Sequence, residues 1–377
     1  MTEPRTQWKA VAVLLAAGLF SAAQFGKFTL TLTQLTAHYG ATAGLLVSVV
    51  GIVGIVFGAV AGGHVARFGL RRAMIWALIV GGCVSLAQSV LPTTAVMFAL
   101  RGVEGVSHLA IVIAAPTLMA GLANDRDRPV VMGIWASFFG VALAILAVIT
   151  PALLAMGDLF AVLVFHGGGM LAMAWTVARN VPQEQPQTVE VKRFISEHRA
   201  IYSNPKSVIA GGGFVFYTIL YIALIAVLPL ELGFGATQTA ILPLISLIGT
   251  FGAGYLARRF APPAITLFGF GAMLVIILWC AWAPGLIAVT AIFLAAGFIP
   301  GGAFATIPFF NDSLADRARA TGAIAQLGNV GTTLGTPIFV LTLSLGGLNA
   351  VLLVAAFFAA SGIAATWILW AKCAAPQ

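Results

Sequence analysis

Ionisable side chains are rare in the long apolar stretches of this sequence, and those that occur there could bind a polar ligand or carry a proton. Arg101, Glu104 and His108 are spaced i, i+3 and i+7, which places them on one face of a helix. Gln24 and Lys27 lie in an earlier apolar stretch. Because an ionisable group in apolar surroundings is costly unless it is paired or used, these five residues are candidates for one polar binding site.

Two interpretations of these charges stay open. In the first, Arg101 and Glu104 form a structural ion pair, and the flexible Lys27 side chain extends to the surface. In the second, the charges converge and bind substrate. Proton transfer is also open, because His108 titrates near neutral pH, although a carboxylate between two cations, such as Glu104, normally stays ionised.

A second group of candidates is aromatic and lies far along the chain. Tyr217 and Tyr221 are four residues apart and share a helix face. Asn311 ends a later apolar stretch that also carries Phe293 and Phe304. Such rings can stack on a ring-containing solute or simply pack against neighbouring helices. Since no charge interrupts these later stretches, we expect polar contacts from the first half of the chain and stacking from the second.

Composition limits the class of protein. Hydrophobic residues make up 60% of the 377 residues and charged residues only 8%, with a mean hydropathy of +1.04. A soluble domain of this size needs far more polar surface. The net charge of +8 is not gathered into basic patches interleaved with aromatic residues, so we expect no nucleic acid partner. The three scattered cysteines predict neither a disulfide framework nor a thiolate metal site.

His166 and Met170 come nearest to a metal-binding motif. They are one helical turn apart, a spacing that could present a soft metal such as copper. The three glycines between them favour close helix packing instead. The sequence also has no Gly-rich phosphate loop of the Walker type and no CxxC pair. We therefore expect no metal, no cofactor and no catalytic residues.

About twelve apolar runs reach the roughly 20 residues that a membrane span requires. The sequence therefore predicts an all-α membrane protein with twelve transmembrane helices. The predicted spans are Ala10–Leu32, Ala43–Val65, Ala73–Leu91, Ala95–Ala120, Val130–Leu153, Leu159–Ala178, Val208–Leu230, Ala236–Ala257, Pro262–Ala283, Leu286–Phe310, Ala320–Leu343 and Asn349–Ala371.

The basic residues predict the orientation of these spans. If the N-terminus is inside, every lysine and arginine except Lys27 and Arg101 lies on the cytoplasmic side, which is the positive-inside pattern. Both termini are then cytoplasmic. The longest connection, residues 179–207, begins as a Pro-rich linker and continues as a short amphipathic helix on the membrane surface. Its apolar face is Val191, Phe194, Ile195, His198, Ile201 and Tyr202, opposite Lys192, Arg193 and Arg199.

The chain also contains an internal repeat. Gly62 precedes Arg67 as Gly254 precedes Arg258 and Arg259, each time at the charged end of an apolar run. Two similar halves of this kind are typical of secondary transporters. The repeat predicts two six-helix bundles, residues 1–178 and 208–377, joined by the linker 179–207.

Two motifs resemble those of the major facilitator superfamily. That family has Gly-x-x-x-Asp-Arg-x-Gly-Arg-Arg between spans two and three, and Arg-x-x-Gln-Gly in span four. Here the first has alanine at the acidic position, Ala66, and the second has Glu104 in place of glutamine. The resemblance implies the major facilitator fold, with spans one, four, seven and ten lining a central cavity. It also implies a conformational motif made of Gly62, Arg67, Gly69, Arg71 and Arg72, with Gly254, Arg258 and Arg259 in the second half.

The same resemblance implies the function. We expect a monomeric secondary transporter in the lipid bilayer of the inner membrane, moving a small molecule by alternating access. The stretch from Gln24 to Lys27 resembles the bacterial importer branch for copper and riboflavin. The lack of Met/His pairs in spans seven and eight disfavours copper, whereas Tyr217 and Tyr221 favour a ring-containing vitamin such as riboflavin. The alternatives are proton-coupled efflux of drugs or metabolites, copper import, and a non-transporting receptor, because the motif aspartate is absent.

Overall fold

The computed structural model describes residues 5–184 and 193–374, most of which are helical. The predicted all-α membrane fold is confirmed. Gln185, Pro186, Val191 and Lys192 of the predicted linker lie outside the described residues. The helices are α1 (Trp8–Leu30), α2 (Leu32–Tyr39), α3 (Ala43–Phe68), α4 (Leu70–Gln88), α5 (Thr94–Leu122), α6 (Arg128–Ala136), α7 (Phe138–Asn180), α8 (Phe194–Ser203), α9 (Pro205–Glu231), α10 (Ala236–Leu256), α11 (Pro262–Trp282), α12 (Leu286–Phe310) and α13 (Leu314–Ala374).

Within the described residues, ten helices are long and apolar enough to cross a membrane. Two of them, α7 with 43 residues and α13 with 61, far exceed the length of one crossing. The backbone of α7 leaves helical geometry at Gly157 and Asp158, and that of α13 does so at Gly347. These breaks fall between predicted spans five and six and between eleven and twelve. The predicted count of twelve therefore requires each broken helix to form two spans.

Two helices end at hydroxyl residues, earlier than the apolar pattern predicts. Ser137 separates α6 from α7 inside the predicted fifth span, and its Oγ donates to the carbonyl of Ile134 at 2.7 Å. Thr31 follows the end of α1, and its Oγ1 donates to the carbonyl of Lys27 at 2.5 Å. Such local hydrogen bonds compete with helix continuation, and hydropathy alone does not reveal them.

The N-terminal and C-terminal helices pack closely at one end of the molecule. A Cβ on Gly62 of α3 would lie 2.3 Å from the carbonyl oxygen of Ala318 of α13. A Cβ on Gly254 of α10 would lie 3.0 Å from the Cα of Gly133 of α6. Only glycine permits these approaches. We call this end the basic face, because it carries Arg67, Arg71, Arg128, Arg258 and Arg317.

Candidate functional site

Lys27, Arg101 and Glu104 meet in the interior of the N-terminal helices. Lys27 Nζ lies 2.6 Å from Glu104 Oε1, and Arg101 Nη1 lies 2.5 Å from Glu104 Oε2. All three side chains are 0% exposed. The structure therefore brings the three predicted charges together, and Lys27 points inward rather than to the surface.

Polar side chains from α4 and α7 complete this group. Lys27 Nζ donates to Ser85 Oγ at 2.8 Å and to Gln88 Oε1 at 2.9 Å, and it lies 3.3 Å from His166 Nδ1. Gln88 Nε2 donates in turn to Glu104 Oε2 at 2.8 Å. Because helices of the same half enclose these atoms on all sides, a solute has no access to the charges in this conformation. We call the six residues Lys27, Ser85, Gln88, Arg101, Glu104 and His166 the buried charge cluster.

His166 and Met170 are occupied by contacts within the N-terminal half. His166 Nε2 lies 3.0 Å from the carbonyl oxygen of Phe20, and Met170 Sδ lies 3.6 Å from Gln24 Nε2. Across residues 5–184 and 193–374, no group of three or more His, Cys, Asp or Glu side chains is arranged to hold a metal ion. Both side chains thus pack within or beside the buried charge cluster.

Gln24 and His108 adjoin the same cluster. Arg101 Nη1 donates to the carbonyl oxygen of Gln24 at 2.9 Å. His108 Nδ1 lies 3.0 Å from the carbonyl oxygen of Ser21 and 2.9 Å from the Ser21 hydroxyl oxygen. The His108 ring meets Phe25 edge-on, with centroids 4.9 Å apart. At 8% exposure, His108 is the most accessible of the five predicted polar residues.

Aromatic rings form a continuous array along α9 and α12 in the C-terminal half. The centroids of Phe214 and Tyr217, and of Tyr217 and Tyr221, are 5.3 Å apart. Phe293 and Phe304 extend the array at 5.4 Å from Tyr221 and 5.6 Å from Phe214. Phe214, Tyr217 and Tyr221 are half-buried, so their rings keep accessible surface. We call these five residues the aromatic array.

The two tyrosine hydroxyls of the array differ. The Tyr221 hydroxyl lies 3.0 Å from Ser246 Oγ and is therefore already paired. The Tyr217 hydroxyl has no hydrogen-bond partner among the residues that the structure describes. Tyr217 thus offers a ring face and a free polar group, whereas Tyr221 offers mainly its ring.

Asn329 on α13 is a residue that the sequence reasoning missed. It is half-buried, and its Nδ2 donates to the carbonyl of Ala325 at 2.7 Å. A Cβ on Gly51 would lie 3.4 Å from Asn329 Oδ1 and 4.0 Å from the Phe25 ring. A polar group of the C-terminal half therefore lies close to the ring that His108 contacts. The signal was present in the sequence, because Gln326 and Asn329 are polar and three residues apart in a glycine-rich apolar run.

Asn311 lies at the basic face, apart from Tyr217 and Tyr221. Its Nδ2 donates to the carbonyls of Lys206 at 3.1 Å and Ile307 at 2.9 Å. Lys206 is in the first turn of α9, and Tyr217 is about three turns further along at ~3.6 residues per turn. The amide of Asn311 thus bonds one carbonyl in the last turn of α12 and one in the first turn of α9. This placement separates it from the residues with which it was predicted to bind substrate.

The N-terminal copy of the conformational motif forms the turn between α3 and α4. Gly69 has a φ of 97°, in the left-handed region that favours glycine. Arg71 donates from Nε to the carbonyl of Val181 at 2.8 Å and from Nη2 to that of Ala178, so it caps the end of α7. Arg67 and Arg72 are exposed. Ala66 is buried, at 8% exposure, and offers no carboxylate to this turn.

The C-terminal copy makes an ion pair to the other half. Arg258 Nη2 lies 2.8 Å from Asp127 Oδ1, and Arg258 Nε donates to the carbonyl of Arg126 at 3.2 Å. Arg259 beside it is exposed. Asp127 precedes α6, whose Gly133 packs on Gly254. The pair therefore adds an electrostatic contact to the close packing of α6 and α10.

Comparison of the sequence with known protein families gives one match. The family model described as Major Facilitator Superfamily matches residues 14–336. No curated protein matches the sequence.

Several solved structures share the fold. The transporter FucP in the outward conformation is 14% identical with a TM-score of 0.76, over 97% of this chain and 99% of that one. The human organic anion transporter MFSD10 is 13% identical with a TM-score of 0.79, over 96% and 99%. The proton:xylose symporter XylE, bound to 6-bromo-6-deoxy-D-glucose, is 14% identical with a TM-score of 0.77, over 98% and 96%. At these identities the likeness shows the fold alone.

Proposed function

The chain belongs to the major facilitator superfamily, and we propose that it is a monomeric secondary transporter for a small, uncharged, ring-containing organic molecule. The bundles 1–178 and 208–377, joined by the linker 179–207, would move against each other in alternating access. The basic face is closed by the packing of Gly62 on Ala318 and of Gly254 on Gly133. Opening this face requires these two contacts to separate.

The observation that carries the proposal is the accessible surface of the aromatic array. Phe214, Tyr217 and Tyr221 are half-buried rings on one helix, and a planar solute can stack on such a surface. The Tyr217 hydroxyl supplies a hydrogen-bonding group. We also assign His108 and Asn329 Oδ1 as polar contacts to the substrate, because both residues lie near Phe25.

The buried charge cluster supports an uncharged substrate. An organic anion would need a cation with accessible surface, but Lys27 and Arg101 are both paired with Glu104 and 0% exposed. We therefore assign Gln24, Lys27, Arg101 and Glu104 to holding α1, α4, α5 and α7 together. MFSD10 is named for organic anions and XylE for xylose. Of these two substrate classes, an uncharged ring compound fits the proposed site better, and riboflavin is a representative probe.

Transport by purified protein in proteoliposomes tests the proposal. We expect uptake or exchange of riboflavin or another uncharged ring compound, and none of copper or of small organic anions. Substrate loaded inside the vesicles distinguishes efflux from uptake, and an imposed proton gradient tests coupling. The double variant Tyr217→Ala/Tyr221→Ala should lose most transport. Phe268→Ala, which removes a 58% exposed ring outside the array, is the matched control. Binding without flux would indicate a receptor, and transport of copper or anions alone would refute the assigned substrate class.

We also propose that the basic face is cytoplasmic and that the membrane is the inner membrane. The proposal rests on the asymmetric distribution of arginine and lysine. A cysteine at Asp158, in the break of α7, should react with an impermeant thiol reagent outside intact cells. A cysteine at Arg126 should not react. Labelling at Arg126 without labelling at Asp158 would reverse the orientation.

A further inference from the structure

Helix α8 lies across the junction of α3 and α13 at the basic face. On its inner side, Glu197 and Ile201 are 1% and 2% exposed. Ile201 packs with Ala59 of α3 and Ala323 of α13 in a small hydrophobic cluster of its own. The helix therefore contacts an element of each half at the place where the two halves meet.

Polar contacts fix α8 in this position. The Tyr202 hydroxyl donates to Gln326 Oε1 at 2.7 Å, and Gln326 Nε2 donates to the carbonyl of Ile55 at 2.5 Å. Glu197 Oε1 accepts from Arg319 Nε at 2.8 Å. Burial raises the pKa of Tyr202 to about 12, so its hydroxyl stays a donor at physiological pH. Gln326 thus joins α3, α8 and α13 through a single side chain.

The outer side of α8 has the composition of a membrane-surface helix. Ile195 is 80% exposed and Phe194 is 46% exposed. Arg193 and Arg199 are exposed beside them and help to line a shallow cavity of 430 Å³. Phe194 meets Phe57 with ring centroids 6.1 Å apart.

The contact with Phe57 joins the apolar edge of α8 to a membrane helix. Phe57 is itself 47% exposed on α3, which is long and apolar enough to cross a membrane. The exposed rings of Phe57 and Phe194 therefore form one apolar surface that lipid would cover. An amphipathic helix with such an edge, and with arginines beside it, is typical of the boundary between headgroups and acyl chains.

We propose that α8 binds an anionic phospholipid through Arg193 and Arg199, and that this binding stabilises the closed basic face. Guanidinium groups pair well with phosphate, while Phe194 and Ile195 contact the acyl chains. A ligand shifts a conformational equilibrium only if it binds one state better. The surface on which α8 packs is formed jointly by α3 and α13. It therefore exists as described only when the two halves are closed at the basic face. The regulatory part of the inference rests on the proposed alternating access.

Hydrogen–deuterium exchange of the full chain in lipid vesicles tests this inference without a transport substrate. The comparison is between vesicles of phosphatidylcholine alone and vesicles that also contain phosphatidylglycerol. We expect the anionic lipid to slow exchange several-fold in α8 and in residues 54–62 of α3. Arg193→Gln/Arg199→Gln should abolish both effects. The charge-matched double variant Arg5→Gln/Arg179→Gln, which changes two exposed arginines outside α8, should retain them.

Two further arms separate binding from coupling. In Gln326→Ala, we expect anionic lipid still to protect α8 but no longer to protect residues 54–62. Glycerol phosphate added to phosphatidylcholine vesicles should protect neither segment, because the proposed ligand is a membrane lipid. Equal protection of both double variants, or protection by glycerol phosphate, would overturn the lipid site. Protection of α8 without any effect on α3 in the wild type would overturn the coupling. These outcomes can be interpreted even if the transport assay fails, because the exchange experiment needs no transport substrate.

Discussion

The buried charge cluster of the N-terminal half and the aromatic array of the C-terminal half differ in how far their side chains are exposed and in how they are paired. In the cluster, two cations share the carboxylate of Glu104, and every charged side chain is 0% exposed. In the array, the rings of Tyr217 and Tyr221 lie side by side, tilted by 36°, and both residues keep part of their surface accessible. The charges of the cluster are thus paired within it, and among its donors Arg101 Nη2 is buried without a hydrogen-bond partner in the described residues. The array, by contrast, leaves ring surface available to a ligand.

This difference shows that an ionisable residue within a span is not by itself a binding residue. Burial of a charge is tolerated when opposite charges and hydrogen bonds surround it, and Ser85 and Gln88 provide those bonds to Lys27. Recognition of a solute needs surface that the solute can cover. On this criterion the array and its surroundings are the better candidates for the site.

The largest effect is expected from Glu104→Gln. The substitution leaves Lys27 and Arg101 buried without a counter-charge, and removal of one partner from a buried pair costs ~3–5 kcal/mol. We therefore expect a large fall in the thermal unfolding temperature of the purified protein and less folded protein in the membrane. Asp125→Asn is the control, because Asp125 also pairs with an arginine but is 90% exposed. That exposed pair should contribute ~0–1 kcal/mol at most.

The alternative outcome is equally informative. If Glu104→Gln unfolds at the wild-type temperature but no longer transports, the cluster takes part in substrate or proton transfer. The contrast between a structural charge cluster and a ligand-binding aromatic array would then be wrong. A double variant, Lys27→Met/Glu104→Gln, should be less stable than wild type as well, because Arg101 stays buried without a counter-charge.

Helical spacing predicted a substantial part of this arrangement. Arg101 and Glu104 share a helix face at i and i+3, and the major facilitator resemblance placed Lys27 on the neighbouring span. Their convergence follows from those two facts. The apolar runs likewise predicted the membrane helices, except that Ser137 divides the expected fifth span. The breaks at Gly157 and Gly347 fall between expected spans.

The surroundings of each helix face could not be predicted in the same way. Periodicity tells which residues share a face, but not whether that face meets a cavity or another helix. Ser85, Gln88 and His166 come from two helices that give no sign of their contact with Lys27 in the sequence. Asn311 shows the same limit, because its type suggested binding, whereas its position at the end of α12 makes it a cap.

The second prediction concerns the closed basic face that both bundles share. Gly62→Val should force α3 away from Ala318, since a Cβ there would lie 2.3 Å from its carbonyl oxygen, and overpacking costs ~1–3 kcal/mol. We expect faster labelling of a cysteine placed at the buried Ala323, in a protein whose accessible native cysteines are replaced by serine. Gly44→Val in the same helix is the control, because a Cβ there meets nothing within 4 Å. Equal labelling of the two variants would show that this contact does not limit opening.

A smaller effect is expected at the aromatic array. Aromatic contacts contribute ~0.5–1.5 kcal/mol beyond area burial, so Tyr221→Ala should raise the KM for the transported substrate several-fold. Tyr221→Phe should keep most activity, because its hydroxyl pairs with Ser246. Tyr217→Phe should raise KM more than Tyr221→Phe does, since the Tyr217 hydroxyl is the free one. If alanine at both positions leaves KM unchanged, stacking is not the mode of recognition, and His108 and Asn329 would have to account for it.

The smallest effect concerns the ion pair between Arg258 and Asp127, which contrasts the two copies of the conformational motif. In the N-terminal copy Arg71 caps α7 of its own half, whereas Arg258 reaches the other half. Because both partners are partly exposed, the pair should contribute only ~0.2–1 kcal/mol to closure, and salt should weaken it.

We expect Arg258→Gln and Asp127→Asn each to speed labelling at Ala323 slightly in low salt, with no additional effect when combined. Arg128→Gln, whose partner Asp125 lies in the same half, should have no such effect. If Arg128→Gln speeds labelling equally, or the two single effects simply add, the Arg258–Asp127 pair does not hold the bundles together, and closure depends on glycine packing alone.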